Sequence, residues 1–128
     1  MTEKSVAEKL MIKPGRSVLF VNAPENYEKL LGNLPDAVAV FHAPAGEVDI
    51  IVAFATSRQE LEDQLPRLKP MVKPGGMVWV TYYKGTSRFK TDIHRDSINA
   101  YAKTLGMEGV AMISVDADWS ALRLKIIS

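Results

Sequence analysis

Gly109-Val110-Ala111-Met112-Ile113-Ser114-Val115-Asp116-Ala117-Asp118-Trp119-Ser120-Ala121-Leu122-Arg123-Leu124-Lys125-Ile126 holds two apolar runs, 109–115 and 119–126, joined only by Asp116-Ala117-Asp118. A parallel crossover needs a dozen or more residues, so these runs must form an antiparallel hairpin. Upstream the pattern differs. Residues 17–22 (Ser-Val-Leu-Phe-Val-Asn), 37–41, 48–54 (Val-Asp-Ile-Ile-Val-Ala-Phe) and 77–82 are nearly continuous apolar runs, as expected of strands covered on both faces. Helical patterns alternate with them. The expectation is therefore an α/β fold: a Rossmann-like, mostly parallel twisted sheet of about six strands with helices on both faces and a C-terminal antiparallel hairpin. No linker, repeat or low-complexity tract divides residues 1–128, so we expect a single domain.

Helix boundaries follow from local signals. Ser5 and Glu8 make a capping-box pattern ahead of Val6, Leu10 and Met11, and Lys13-Pro14-Gly15 ends that short helix. Pro24 suits the first turn of a helix carrying Tyr27, Leu30 and Leu31, stopped by Gly32. Ser57 and Glu60 repeat the capping-box signal before Leu61, Leu65 and Leu68, with Pro66 expected to kink or split that helix. Lys73-Pro74-Gly75-Gly76 turns the chain into strand 77–82. A last helix is expected from Thr91 or Asp92, burying Ile93, Ile98, Tyr101 and Leu105 and stopping at Gly106.

Composition excludes several classes of function. Apolar residues make up 47% and charged residues 24%, a globular mixture. Sixteen Lys and Arg against fifteen Asp and Glu give a net charge of +1, too balanced for general nucleic-acid binding. The absence of cysteine removes disulfides, thiolate metal sites and thiol nucleophiles. His42 and His94 stand in no metal-ligand spacing, so no metal site is expected. Met1-Thr2-Glu3-Lys4-Ser5 leads into an amphipathic stretch without an apolar signal core, and no run approaches a membrane span, which points to a cytoplasmic location.

The order helix, Lys-Pro-Gly, strand, then Leu68-Lys69-Pro70 and Lys73-Pro74-Gly75-Gly76-Met77-Val78 before a strand, then a closing hairpin, resembles the class I methyltransferase fold, shortened by one strand-helix unit. More narrowly, Asn22-Ala23-Pro24, Trp79-Val80-Thr81-Tyr82-Tyr83-Lys84, Thr91-Asp92 with Arg95-Asp96-Ser97, and Asp116 with Trp119-Ser120-Ala121-Leu122-Arg123 resemble a family of small bacterial proteins with no established function. The wider resemblance implies a glycine-rich turn after the first strand for S-adenosylmethionine and an acidic residue after the second for its ribose. Here those places read Asn22-Ala23-Pro24-Glu25-Asn26 and Phe41-His42. Asp49 matches an acidic position that opens a later strand of the larger enzymes and is commonly structural there.

In open α/β sheets ligands sit beyond the carboxyl ends of the strands. That edge collects Asn22, Ala23, Pro24, Thr56, Ser57, Tyr82, Tyr83 and Lys84, of which Asn22, Pro24, Thr56, Tyr83 and Lys84 are the candidate ligand-binding residues. The loop that follows, with Thr86, Ser87, Lys90 and then Arg95, brings cations and hydroxyls before a helix N-terminus, where a phosphate or carboxylate would be attracted. A structural reading stands beside this one: Asn22 and Thr56 as turn braces, and the basic loop as solvated surface. Trp79 reads as core, and Trp119 as a ring over the sheet with its indole N–H on a nearby carboxylate. The sequence thus favours a non-catalytic or cryptic binding module on a methyltransferase-like scaffold, recognising a small anionic metabolite or a protein partner. The alternative is an S-adenosylmethionine-dependent methyltransferase with a divergent donor loop. S-adenosylmethionine is disfavoured as a cofactor.

Overall fold

The computed structural model describes residues 5–44 and 46–127. Residues 1–4, on which part of the targeting reading rests, lie outside it. Six strands form one sheet in the order β2-β1-β3-β4-β6-β5. They are β1 (Ser17–Val21), β2 (Ala39–Phe41), β3 (Val48–Phe54), β4 (Val72–Tyr83), β5 (Met107–Ser114) and β6 (Trp119–Ile126). β1 to β4 run parallel, and β6 lies antiparallel between β4 and β5. The hairpin forms as its short link requires, with residues 115–118 between its strands, and it leaves β6 as the one strand running against the others.

Both faces of the sheet are covered, which is why β1 and β3 are apolar apart from Ser17 and Asp49. On one face α3 (Arg58–Leu68) and α4 (Arg95–Thr104) bury Leu61, Leu65, Ile98 and Ala102 against Leu19, Ile51, Val78 and Val80. On the other, α1 (Val6–Lys9) and α2 (Tyr27–Leu31) cover Val18, Phe20, Val52 and Trp79 with Ala7, Leu10 and Leu31. The Ser5–Glu8 capping box is formed on both sides. Trp79, fully buried, donates its indole N–H to the Leu10 carbonyl at 3.0 Å, tying the end of α1 to the central strand.

Several boundaries differ from expectation, each for a local reason. α2 starts at Tyr27, one turn beyond Pro24, whose carbonyl accepts the Tyr27 N–H. β2 is shorter than 37–41 because Ala37 has φ 62°, a left-handed conformation that a strand cannot contain. α3 is not split at Pro66; it runs on to Leu68. Proline removes the N–H that would bond the Glu62 carbonyl, and the Tyr101 hydroxyl of α4 donates to that oxygen at 3.4 Å. α4 begins at Arg95 rather than at Thr91 or Asp92, because His94 and Ser97 cap it.

β4 is longer than 77–82. Val72 pairs with Val48 and Met77 with Ile50, so the four residues Lys73 to Gly76 bulge opposite Asp49 alone. Gly76 makes this bulge sterically feasible: a Cβ there would lie 2.5 Å from the Asp49 carbonyl oxygen and 2.7 Å from Val72 Cγ2. Asp49 braces the same edge. Its carboxylate accepts from Ser17 N–H at 2.8 Å and Ser17 Oγ at 3.0 Å, with Arg16 and Lys73 at 3.9 and 3.8 Å. The Ser17 N–H above all, then the Ser17 hydroxyl and the two cations, hold its carboxyl below the ordinary carboxylate range against the opposing effect of burial. Asp49 is thus structural, at the edge remote from the strand carboxyl ends.

Candidate functional site

The carboxyl ends of β1 and β3 are joined by a polar cluster centred on Glu60, in the first turn of α3. Its Oε1 accepts from Thr56 N–H at 2.7 Å, Thr56 Oγ1 at 2.6 Å and Asn22 Nδ2 at 3.4 Å. Asn22 also donates to the Phe54 carbonyl at 2.9 Å, which Gln64 reaches at 3.2 Å. Ser57 caps the Glu60 N–H as its spacing foretold, but the Glu60 carboxylate turns to Thr56, so the expected box forms only by half. Asn22 and Thr56, both chosen from the sequence, therefore belong to one assembly. Glu60, its hub, was seen as a helix-capping residue only.

Asn22 has φ 57°, in the left-handed region. Asparagine enters that region more readily than most residues, so the turn after β1 reverses direction without a glycine. Pro24 follows half-buried and brings no N–H. At the end of β2 His42 Nε2 lies 2.8 Å from the Tyr27 hydroxyl, and both rings lean on Phe20 at centroid distances of 5.9 and 5.0 Å. Burial, then the neighbouring Glu28 carboxylate, raise the Tyr27 phenol. A cavity of about 220 Å³ lies between these strand ends and α3, with Asn22, His42, Gln64 and Arg67 among its walls.

The basic loop is anchored at both ends. Lys84 Nζ donates to Ser114 Oγ at 2.6 Å, and the Lys84 N–H to the Asp118 carbonyl at 2.8 Å. Ser87 is buried and donates to Asp118 Oδ1 at 2.8 Å while accepting from the Phe89 N–H. At the far end Thr91 Oγ1 donates to the Thr56 carbonyl, and Asp92 accepts the Arg58 N–H at 2.7 Å. Asp92 therefore caps α3 and not α4. The α4 terminus expected to attract an anion is taken up by His94 and Ser97: Ser97 N–H donates to His94 Nδ1 and His94 N–H to Ser97 Oγ.

Of the sequence-chosen residues, Lys84 and Ser87 thus tie the loop to the β5–β6 turn. Thr86 and Lys90 are exposed, and Arg95 points along its own helix to Asp96 at 3.4 Å. Tyr83 is stacked between Phe89 and Trp119, at 5.0 and 4.3 Å, and Trp119 meets Phe54 edge-on. Trp119 covers the sheet as expected, but its indole N–H does not reach a carboxylate among the described residues: Asp116 beside it accepts instead from the backbone N–H groups of Asp118 and Trp119. Tyr82 points to the opposite face, where burial, chiefly, raises its phenol; the Asp96 carboxylate adds to this and Arg95 opposes it. Among the described residues no group of three or more His, Asp or Glu side chains could hold a metal, and no helix is long and apolar enough to cross a membrane.

The six-stranded sheet with its antiparallel C-terminal hairpin is methyltransferase-like. The chain is similar to DhpI in its complex with SAH, at 13% identity and a TM-score of 0.66 over 95% of this chain and 82% of that one. It is similar to a SAM-dependent methyltransferase from Aquifex aeolicus, at 17% identity and a TM-score of 0.63 over 95% and 88%. It is also similar to the ribosomal protein L11 methylase of Lactobacillus delbrueckii subsp. bulgaricus, at 14% identity and 0.62 over 94% and 74%. No family model matches the chain, and no curated protein does. At these identities the likeness defines a methyltransferase-like, Rossmann-like fold.

Proposed function

We propose that this chain is a binding domain on a methyltransferase scaffold and does not itself transfer a methyl group. The observation that carries this reading is the Glu60 cluster, which spends the polar groups of the β1 and β3 ends on one another. The residues here do not fit S-adenosylmethionine. The turn after β1 presents proline where backbone N–H groups would be wanted, and β2 ends in His42, engaged with Tyr27, where a carboxylate would hold ribose hydroxyls. The adjoining cavity of about 220 Å³ falls below the ~300–1,000 Å³ typical of sites that enclose a cofactor-sized molecule.

The second reading, an S-adenosylmethionine-dependent methyltransferase with a divergent donor loop, is favoured by the solved neighbours and by the left-handed Asn22. Thermal unfolding separates the two. Ligand at a hundredfold its dissociation constant stabilises by about 2.7 kcal/mol, which raises the midpoint by on the order of 10 °C in a domain of this size. We expect no shift with S-adenosylmethionine or S-adenosylhomocysteine at millimolar concentration. A saturable shift with either compound overturns the misfit with S-adenosylmethionine and favours the second reading.

A further inference from the structure

At the opposite edge of the sheet, away from the strand carboxyl ends, β4 and β6 part. Their pairing runs from Tyr83–Trp119 down to Val78–Leu124 and stops there. Below that point the Lys73 to Gly76 bulge carries β4 toward β3, while β6 continues along β5 to Ile126. The fork between them is a cleft of about 870 Å³. The apolar part of its lining, its floor, is accessible at Met77, Val110 and Ile126, whereas Leu124 is fully buried.

Four cations stand around this floor, Lys69, Lys73, Arg123 and Lys125, against one lining carboxylate, Glu47. Lys69 donates to the Leu105 carbonyl at 2.6 Å and Lys73 leans toward Asp49. Arg123 donates to the Met11 thioether, a weak acceptor, and Lys125 is exposed. Among the described residues neither Arg123 nor Lys125 has an ion-pair partner. Glu108 stands across the ladder from Lys125 without closing a pair. In a chain of net charge +1, such a local excess over an apolar floor is a specific arrangement.

We propose that this fork binds a small organic anion with an apolar body, a hydrocarbon or aromatic frame bearing one carboxylate, sulfonate or phosphate. The volume lies within the range of small-molecule sites, the floor takes the apolar body, and Arg123 and Lys125 meet the charge. The site is independent of whether the other edge holds S-adenosylmethionine.

The test is fluorescence titration with 8-anilino-1-naphthalenesulfonate, with its uncharged relative N-phenyl-1-naphthylamine and decanoate as competitor. Folded protein should give saturable enhancement with the sulfonate, displaced by decanoate, and a raised unfolding midpoint with decanoate alone. Lys125→Glu should weaken sulfonate binding by on the order of fivefold, whereas Lys90→Glu, on the loop at the other edge, should leave it unchanged. The proposal is overturned if binding is not saturable, if the uncharged compound binds as tightly as the sulfonate, or if the two charge reversals act alike.

Discussion

Replacing Gly76 by alanine tests the bulge that shapes the lower edge of the sheet. The added Cβ would meet the Asp49 carbonyl oxygen at 2.5 Å, Val72 Cγ2 at 2.7 Å and the Lys73 carbonyl oxygen at 3.0 Å. Two of these are backbone atoms, so no rotamer change relieves the overlap; β3 or the bulge must move. Overpacking of this kind costs about 1–3 kcal/mol. For a chain of this length each kcal/mol lowers the unfolding midpoint by about 3–5 °C, so Gly76→Ala should melt some ~3–15 °C below the parent. Gly85→Ala is the control, since a Cβ there meets nothing within 4 Å and its backbone is not left-handed. Its effect should stay within ~0.5 kcal/mol. Circular dichroism melts of the three proteins decide the matter. A Gly76→Ala midpoint indistinguishable from that of Gly85→Ala would refute the packing account of the bulge.

Three further perturbations probe other parts of the structure. Trp79→Phe removes the donor to the buried Leu10 carbonyl and should cost about 1–3 kcal/mol in urea unfolding, seen as a lower midpoint at unchanged slope. Glu60→Ala leaves the Thr56 N–H and hydroxyl without their acceptor and should cost a similar ~1–3 kcal/mol; retention of full stability would show that water serves them equally well. Because the Asp49 carboxyl titrates lower in the folded chain than its unfolded value of about 3.9, its stabilising contribution is complete above that value and is lost as pH falls through the folded one. Asp49→Asn should therefore flatten the loss of stability as pH falls below about 4 relative to the parent, and parallel curves would contradict this.

The fold was legible because its signals are coarse. A short link forces a hairpin, and apolar runs such as Val48–Phe54 announce a strand buried on both faces whatever the register. The departures came where one residue's long-range partner decided the outcome. Asp92 was read as the start of the nearest helix, yet it caps α3, 34 positions away in sequence. Pro66 was expected to kink or split α3, yet the helix runs through it to Leu68, and the Tyr101 hydroxyl donates to the Glu62 carbonyl that the proline leaves without an N–H. The site was legible by place more than by role. Strand-end position identified Asn22 and Thr56, but sequence could not show that Glu60 binds both, nor that Lys84 and Ser87 spend their polar groups on the β5–β6 turn. The basic fork was invisible for the same reason: Lys69, Lys73, Arg123 and Lys125 come from separate elements and meet only where β4 and β6 diverge.

An amide-resolved NMR titration with S-adenosylhomocysteine probes whether the strand-end edge is closed by its own side chains. The amides of Asn22, His42 and Thr56 should stay in place up to millimolar ligand. Saturable shifts concentrated on those three residues would contradict that closure and mark the edge as a site that binds S-adenosylhomocysteine.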